Sequence, residues 1–330
     1  MRAVVVDRPG DLDQLKIQDL PEPNLRAGEV LVDVAYGACN WGDIQKRQGI
    51  YPDPVVYPTI LGGEVSGYVR RRGPGVEALE VGQPVAALTG RDMLRGFADK
   101  VAIPHEFIIP LPPSMDIRAA AAFPVASLTA FHLLHTAHQI RQGEAILIHA
   151  IGGAVGLALT QLARQAGAHI IGTVGTKAKA QRPLEYGAHR VITRDTEDFV
   201  AAVMEETDGR GADLVIDSLG ADILPRSFDA LRPFGRVINI GEAAGEPDFP
   251  IRKKLYERST SLSGFELIHA EPGSLRWQSA VQEIVAIIEQ GQLQMPIARE
   301  FLLEDIRDAQ AYLEDRGASG KVLIKVGNKQ

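Results

Sequence analysis

The chain has 330 residues, 45% of them hydrophobic and 23% charged, enough to bury a full core and more than one core usually organises, so two domains are expected. Lys and Arg total 35 against 42 Asp and Glu, and the net charge of −7 argues against a polyanion-binding surface, which excludes nucleic acid and anionic membranes as expected partners. A single cysteine, Cys39, rules out an internal disulfide and a Cys-rich zinc site and points to a reducing, cytoplasmic setting.

The N-terminus reaches Asp7 and Arg8 after a handful of apolar residues, too soon for a secretory signal. Through the first third, alternating runs such as VLVDVAY from Val30 and EVSGYV from Glu64 are separated by Pro-Gly-rich connections, the pattern of an irregular antiparallel β domain. The pattern changes after LPPSMD, which places a boundary near residue 120. One predicted helix then carries His132, His135 and His138. Steps of three residues drift by about 60° around a helix, so the three do not converge on one ion and no metal site is expected.

Beyond the boundary, compact β-branched runs alternate with helices: AILIH, a helix from Gly153 to Ala166, HIIGTV, a helix ending before Gly187, HRVI, a helix through Phe199 to Thr207, DLVID, another helix and RVINI. This alternation specifies an α/β fold with a doubly wound parallel sheet of the Rossmann kind. The uncharged stretch from Ala145 to Ala163 is nearly long enough to span a bilayer, but His149, Gly152, Gly153 and Gly156 make it a strand, loop and helix. After Gly264 a helix runs from Ser274 to Gln290, and the closing strand KVLIKV returns to the first domain. The expected organisation is residues 1–120 with 267–330 as one domain and 121–266 as the nucleotide-binding domain.

The strongest local signal is HAIGGAVG at residues 149–156, between the strand AILI and a helix. A strand running into a Gly-rich turn aims backbone N–H groups and the positive end of a helix dipole at one point, where a pyrophosphate sits. Ala150, Gly153 and Gly156 take the fingerprint positions, giving AxxGxxG, and Ala150, Gly152, Gly153, Ala154, Val155 and Gly156 are candidate cofactor contacts. Glycine at such a turn also serves packing alone; the further strand-helix units that follow favour a dinucleotide.

At the end of the second strand an NAD enzyme places a carboxylate against the ribose. Here the stretch reads GTVGTKAK, with Thr173, Gly175 and Thr176 in place of an acid, then Lys177 and Lys179, and Arg194 after the third strand. Hydroxyls and cations hold a 2′-phosphate that an acid would repel, so NADPH is the expected cofactor. The alternative is that these cations only solvate a helix face. Ser218 closes the fourth strand after Asp217, Asn239, Ile240 and Gly241 close the fifth, and Gly264 and Phe265 follow the sixth. Ligands bind at strand C-termini in such sheets, so backbone groups there are expected at the nicotinamide end.

With CNWGDIQKRQGIY at 39–51, LGGEVSG at 61–67, GVEALEVG at 75–82, GTVGT at 172–176, YGAHRVI at 186–192 and ASGKVLI near the end, the chain resembles the medium-chain dehydrogenase/reductase superfamily in its zinc-free quinone oxidoreductase (zeta-crystallin-like) branch over nearly its whole length. The resemblance implies a GroES-like irregular β-barrel beside the Rossmann domain. Zinc alcohol dehydrogenases of that superfamily hold catalytic zinc through a Cys in the first motif and a His in the second, and Asn40 and Gly63 stand at those positions here. No metal is therefore expected, since catalytic zinc needs three protein ligands, and Cys39 reads as a buried inert thiol.

The resemblance further assigns Asn40 and Asp43 to an NxxD motif lining the substrate and nicotinamide end of the family's cleft, and Arg47 and Tyr51 to the RxGxY that follows. A Tyr hydroxyl there would hydrogen-bond the acceptor oxygen as charge develops on it. Gln45 stands where many relatives have a Tyr, which weakens the case for quinones in particular. Thr129 resembles a residue near the nicotinamide, and Lys321 matches the Lys of a terminal GK motif that approaches the cofactor phosphates.

The expected activity is NADPH-dependent hydride transfer to a quinone without metal, because conjugation in the acceptor spreads the incoming charge. The alternatives are an NADPH-dependent enone or enal double-bond reductase and a non-enzymatic NADPH-binding protein of crystallin-like or RNA-binding kind. Relatives pair as homodimers along a sheet edge, here expected near residues 259–266.

Overall fold

The computed structural model describes residues 1–327. The N-terminal stretch contains β1 (Arg2–Val6), β2 (Leu15–Asp19), β3 (Glu29–Cys39), α1 (Trp41–Gln48), β4 (Thr59–Ile60), β5 (Glu64–Arg72), β6 (Pro84–Leu88), β7 (Lys100–Pro104), β8 (Ile108–Pro110) and α2 (Ile117–Ala120). Next come α3 (Pro124–His132), β9 (Ala145–Ile148), α4 (Ala154–Gln165), β10 (His169–Val174), α5 (Gln181–Glu185), β11 (Arg190–Thr193) and α6 (Phe199–Glu206). They are followed by β12 (Ala212–Asp217), α7 (Ile223–Ser227), β13 (Leu231–Asn239), α8 (Ile251–Glu257) and β14 (Ser261–Gly264). The remaining elements are α9 (Leu275–Glu289), β15 (Ile297–Leu302), α10 (Ile306–Glu314) and β16 (Lys321–Lys325).

Two compact units result. The first comprises Met1–Val125, Glu271–Val285 and the segment from Met295 onward; the second comprises Ala126–Ala270 and Ala286–Gln294.

In the first unit, β3 organises the main sheet. Its run of Val and Leu is buried at Val30, Leu31, Val32 and Val34, as a strand flanked by partners requires. It pairs antiparallel with β5, with β7 along its first half, and with β16 along its second half, where Val322 faces Cys39 and Leu323 faces Ala38. The strand order is β15-β16-β3-β5-β6-β8, and β1 with β2 and β4 forms a smaller sheet. The closing strand thus lies against Cys39, immediately before Asn40 and α1.

The second unit is a six-stranded parallel sheet in the order β11-β10-β9-β12-β13-β14. Its centre is apolar on both faces, with Leu147, Ile171, Val215 and Val237 packed against Phe199 and Phe228. From β9 the chain winds first towards β11 and then back towards β14, so the order reverses beside β9. In such sheets ligands bind outside the strand C-termini at that reversal.

The single helix expected to carry His132, His135 and His138 is divided. The α-helix ends at His132, Leu133–Ala137 forms a π turn closed by the His138 N–H on the Leu133 carbonyl at 3.1 Å, and His138 itself is extended. His138 instead pairs with Glu144 at 3.0 Å. Among the described residues no helix is long and apolar enough to cross a membrane.

Candidate functional site

In the second unit, residues 149–153 turn the chain from β9 into α4. Ala150 adopts φ +52°, and Gly153 is the extended N-cap of α4 with no side chain to satisfy the first-turn N–H groups. A Cβ on Gly153 would meet only the Ala150 carbonyl oxygen within 4 Å, so the start of the helix is unobstructed. Gly156 plays a different part: a Cβ there would fall 2.6 Å from Ile151 backbone atoms, and its absence lets α4 lie against the turn. Open, uncapped N–H groups at the positive end of a helix fit a pyrophosphate.

Next to this turn, the ends of β10 and β11 carry the expected cations. The Gly175 Cα lies under Arg194, whose Nη2 would stand 3.5 Å from a Cβ at that position. The Lys179 carbonyl comes within 3.2 Å of the Cβ position of Gly152, so the turn bearing Thr176 and Lys179 borders the Gly-rich loop. Thr173 is fully buried, and its hydroxyl is engaged by Arg194 Nη1 at 2.9 Å and His149 Nδ1 at 2.9 Å. It therefore holds Arg194 in place.

The other strand ends are tied together by Asp217, which accepts from the Leu219 and Gly220 N–H groups and from Asn239 Nδ2 at 2.9 Å. Burial raises the Asp217 carboxyl above its ordinary value. Asn239 also donates to the Gly241 carbonyl, the Ile240 N–H is taken by Asp217, and the Phe265 N–H by Asn239. These bonds make Asn239, Ile240 and Phe265 a scaffold for the strand ends. At Gly264 a Cβ would meet nothing within 4 Å, and Thr129 is buried in α3. Ser218 accepts the Ala243 N–H through its carbonyl.

A polar cluster sits in the first unit where β3 passes into α1. Asn40 accepts from Lys321 Nζ at 2.8 Å and donates to Glu64 Oε1 at 3.0 Å. Lys321 forms an ion pair with Glu64, which also accepts the Val125 N–H at 2.9 Å. Asp43 accepts the Asn40 N–H at 2.8 Å and the Gly62 N–H at 3.2 Å. Burial, opposed mainly by Lys46, pushes the Asp43 carboxyl up from 3.8 to about 6.

Two family models cover most of the chain. That for "Zinc-binding dehydrogenase" matches residues 154–286, and that for "Alcohol dehydrogenase GroES-like domain" matches residues 26–113. A quinone oxidoreductase of Salmonella typhimurium is 33% identical over 313 residues, 90% of each chain. The chain belongs to the medium-chain dehydrogenase/reductase superfamily, in its quinone oxidoreductase branch. It has a Rossmann unit and a GroES-like unit. A 2-haloacrylate reductase of Burkholderia is 32% identical over 335 residues, 98% of each chain. The structure of Escherichia coli quinone oxidoreductase complexed with NADPH superposes with a TM-score of 0.94 at 29% identity, covering 98% of this chain and 100% of that one. The chain also matches a phenolphthiocerol/phthiocerol polyketide synthase of Mycobacterium tuberculosis at 30% identity over 322 residues, but spans only 14% of that protein's length.

Two site expectations for this dehydrogenase/reductase, those for Arg47 and Lys321, change in the light of the geometry. Arg47 is 1% exposed and donates to Glu314 of α10 at 2.5 Å, so its guanidinium braces α1 against α10 and does not reach an acceptor. Lys321 is 2% exposed and bound to Glu64 and Asn40 of its own unit, which removes it from the phosphate contacts. The region of Asn40 does not fit a catalytic zinc, because a lysine ammonium lies against Asn40 and Glu64; among the described residues no group of three or more His, Cys, Asp or Glu is arranged to hold a metal. Burial pushes the Cys39 thiol well above its ordinary value, which keeps it protonated and inert. Tyr51 is half-buried, with the Lys46 ammonium 4.5 Å from its ring centroid.

Glu64, Glu314 and His149 were not among the expected site residues. A charge opening the strand EVSGYV was the available signal for Glu64, since a buried carboxylate demands a cation.

The Asp43 shift predicts a pH dependence of stability. A carboxyl raised from 3.8 to about 6 on folding binds its proton more tightly in the native state, so its contribution is full below about 3.8 and is lost as pH rises through about 6. The expected change is on the order of 3 kcal/mol. Asp43→Asn should flatten the fall in urea-unfolding free energy between pH 4 and 6, and an unchanged slope would assign that titration to another group.

Proposed function

We propose that this protein transfers a hydride from NADPH to a small conjugated acceptor, a quinone in the first instance, without a metal ion. The observation that carries the cofactor reading is the acid-free end of β10, where Arg194 lies over Gly175 and the Lys179 turn borders the Gly-rich loop. NADPH, when bound, supplies the hydride from C4 of its nicotinamide. Gly152, Ala154 and Val155 present N–H groups to its pyrophosphate, with the Gly153 N–H closing the turn on the Ala150 carbonyl at 2.9 Å, and Thr176, Lys179 and Arg194 hold its 2′-phosphate through charge-assisted hydrogen bonds. Tyr51 hydrogen-bonds the acceptor oxygen as negative charge builds on it.

The acceptor reading is supported by the activity of relatives, quinone oxidoreductases among them. The 2-haloacrylate reductase, alike over 98% of both chains, favours a second reading in which a carbon-carbon double bond beside a carboxylate or carbonyl is reduced. Both acceptors delocalise the charge they receive, so neither requires a Lewis acid. The reading also includes a cytoplasmic protein and a homodimer joined along β14, whose outer side has no strand partner among the described residues.

A panel of quinones, enones, 2-haloacrylates and aldehydes, each with NADPH and NADH, tests the function. Steady NADPH oxidation with quinones supports the first reading and turnover confined to activated alkenes the second; inactivity with both rejects the proposal. Within the active class, Tyr51→Phe is expected to lower kcat by about tenfold, the loss of one hydrogen bond that strengthens at the transition state. An unchanged kcat would make Tyr51 a packing residue.

A further inference from the structure

His149 stands directly after β9, in the Gly-rich motif, yet it is only 2% exposed. Its surroundings fix its proton. Burial, with Arg194 and Arg226 nearby, pushes the imidazole down to about 3, so the ring is neutral and has one donor and one acceptor nitrogen. Ser227 donates its only hydroxyl proton to the Ile223 carbonyl at 2.8 Å. It can therefore only accept at its contact with His149 Nε2, 3.0 Å away, which places the ring proton on Nε2. Nδ1 is then an acceptor, and the Thr173 hydroxyl, 2.9 Å away, donates to it. With that proton committed, Thr173 offers only lone pairs to its other neighbour, Arg194 Nη1, at 2.9 Å.

The chain of bonds Arg194 to Thr173 to His149 to Ser227 to Ile223 thus runs in one direction, each member giving a proton to the next. Its far end is the guanidinium that lies over Gly175, where an NAD enzyme carries its ribose-binding carboxylate. The His149 ring is held in turn by Phe199, edge to face with centroids 4.9 Å apart. Deprived of the acceptor at Nδ1, the Thr173 hydroxyl rotates freely and presents a proton to a guanidinium that can only donate.

We infer that His149 is a positioning residue for cofactor choice: by fixing the direction of the Thr173 hydroxyl, it orients Arg194 towards the 2′-phosphate of the nucleotide. This rests on the proposal that the cofactor is NADPH and names the residue behind the group that recognises it. His149 touches neither cofactor nor acceptor, so its loss changes discrimination between nucleotides and leaves the chemical step alone.

Binding is the readout. Dissociation constants for NADPH and NADH by nicotinamide fluorescence, and for adenosine 2′,5′-bisphosphate and AMP by calorimetry, would be measured on the parent, Thr173→Val, Thr173→Ser, His149→Leu, Arg194→Gln and Thr173→Val/Arg194→Gln. Thr173→Val and His149→Leu are expected to weaken the two 2′-phosphorylated ligands by about tenfold and to leave NADH and AMP within about twofold. Thr173→Ser, which keeps the hydroxyl, restores parental affinity, and Thr173→Val adds nothing once Arg194 is Gln. Should His149→Leu fail to fold, the two Thr173 variants carry the test. Equal losses for phosphorylated and unphosphorylated ligands, or additive losses in the double variant, would overturn the positioning role. A parent that prefers NADPH while both single variants bind it unchanged sinks this inference alone; a parent without preference for NADPH sinks the cofactor reading with it.

Discussion

Lys321→Met is expected to destabilise the protein by about 3–5 kcal/mol, the cost of leaving a buried carboxylate without its cation. Glu64 is fully buried, and its remaining partners are the Asn40 amide and the Val125 N–H. Two neutral donors do not replace an ammonium in a medium of low polarisability. The same substitution frees the Asn40 amide oxygen, so the Asn40 side chain loses its link to β16. Urea unfolding measures the loss, and Glu64→Gln added to Lys321→Met should recover most of it by removing the orphaned charge. A loss below about 1 kcal/mol in the single variant would mean that water or another cation reaches Glu64.

The second large effect concerns Gly156. Valine there would drive its Cβ to within 2.6 Å of Ile151, and Ile151 has nowhere to retreat. Its N–H donates to the Thr173 carbonyl at 3.0 Å, and its side chain fills the space over Gly172, where a Cβ would fall 2.3 Å from it. The helix must move instead, at a cost of about 3 kcal/mol, and with it the N–H groups assigned to the pyrophosphate. NADPH affinity is expected to fall at least tenfold. Gly153→Ala makes the contrast: it meets only the Ala150 carbonyl, should stay within about 1 kcal/mol of the parent in stability, and should still weaken NADPH by intruding on the phosphate. Equal stability losses in the two variants would contradict the separation of packing glycine from binding glycine.

What the sequence made legible followed from local periodicity. The apolar runs AILI and ADLVID between helices specified a parallel sheet because central strands must be apolar on both faces. The Gly-rich turn and the missing acid were legible for the same reason: both are short-range patterns with a single chemical use. Arg47 and Lys321 were misplaced because their partners lie 267 and 257 residues away, so nothing near them signalled that their charges were already spent. His149 was visible as a letter in the motif, but its role depends on Thr173 and Ser227, brought to it from two other elements by the sheet. The division of the histidine segment escaped because a π turn differs from an α turn by one hydrogen-bond step and leaves the apolar pattern intact.

The return of β16 to β3 bears on how the protein is made. During synthesis the first unit emerges early but lacks the strand that covers residues 36–39 and the ammonium that neutralises Glu64, both supplied by residues 321–325. The parallel sheet is encoded in one run from β9 to β14 and has all its strands while that earlier unit still waits with a bare edge and an uncompensated charge. The nascent chain therefore assembles from its middle outwards, and the half that leaves the ribosome first is the half that most needs protection from aggregation.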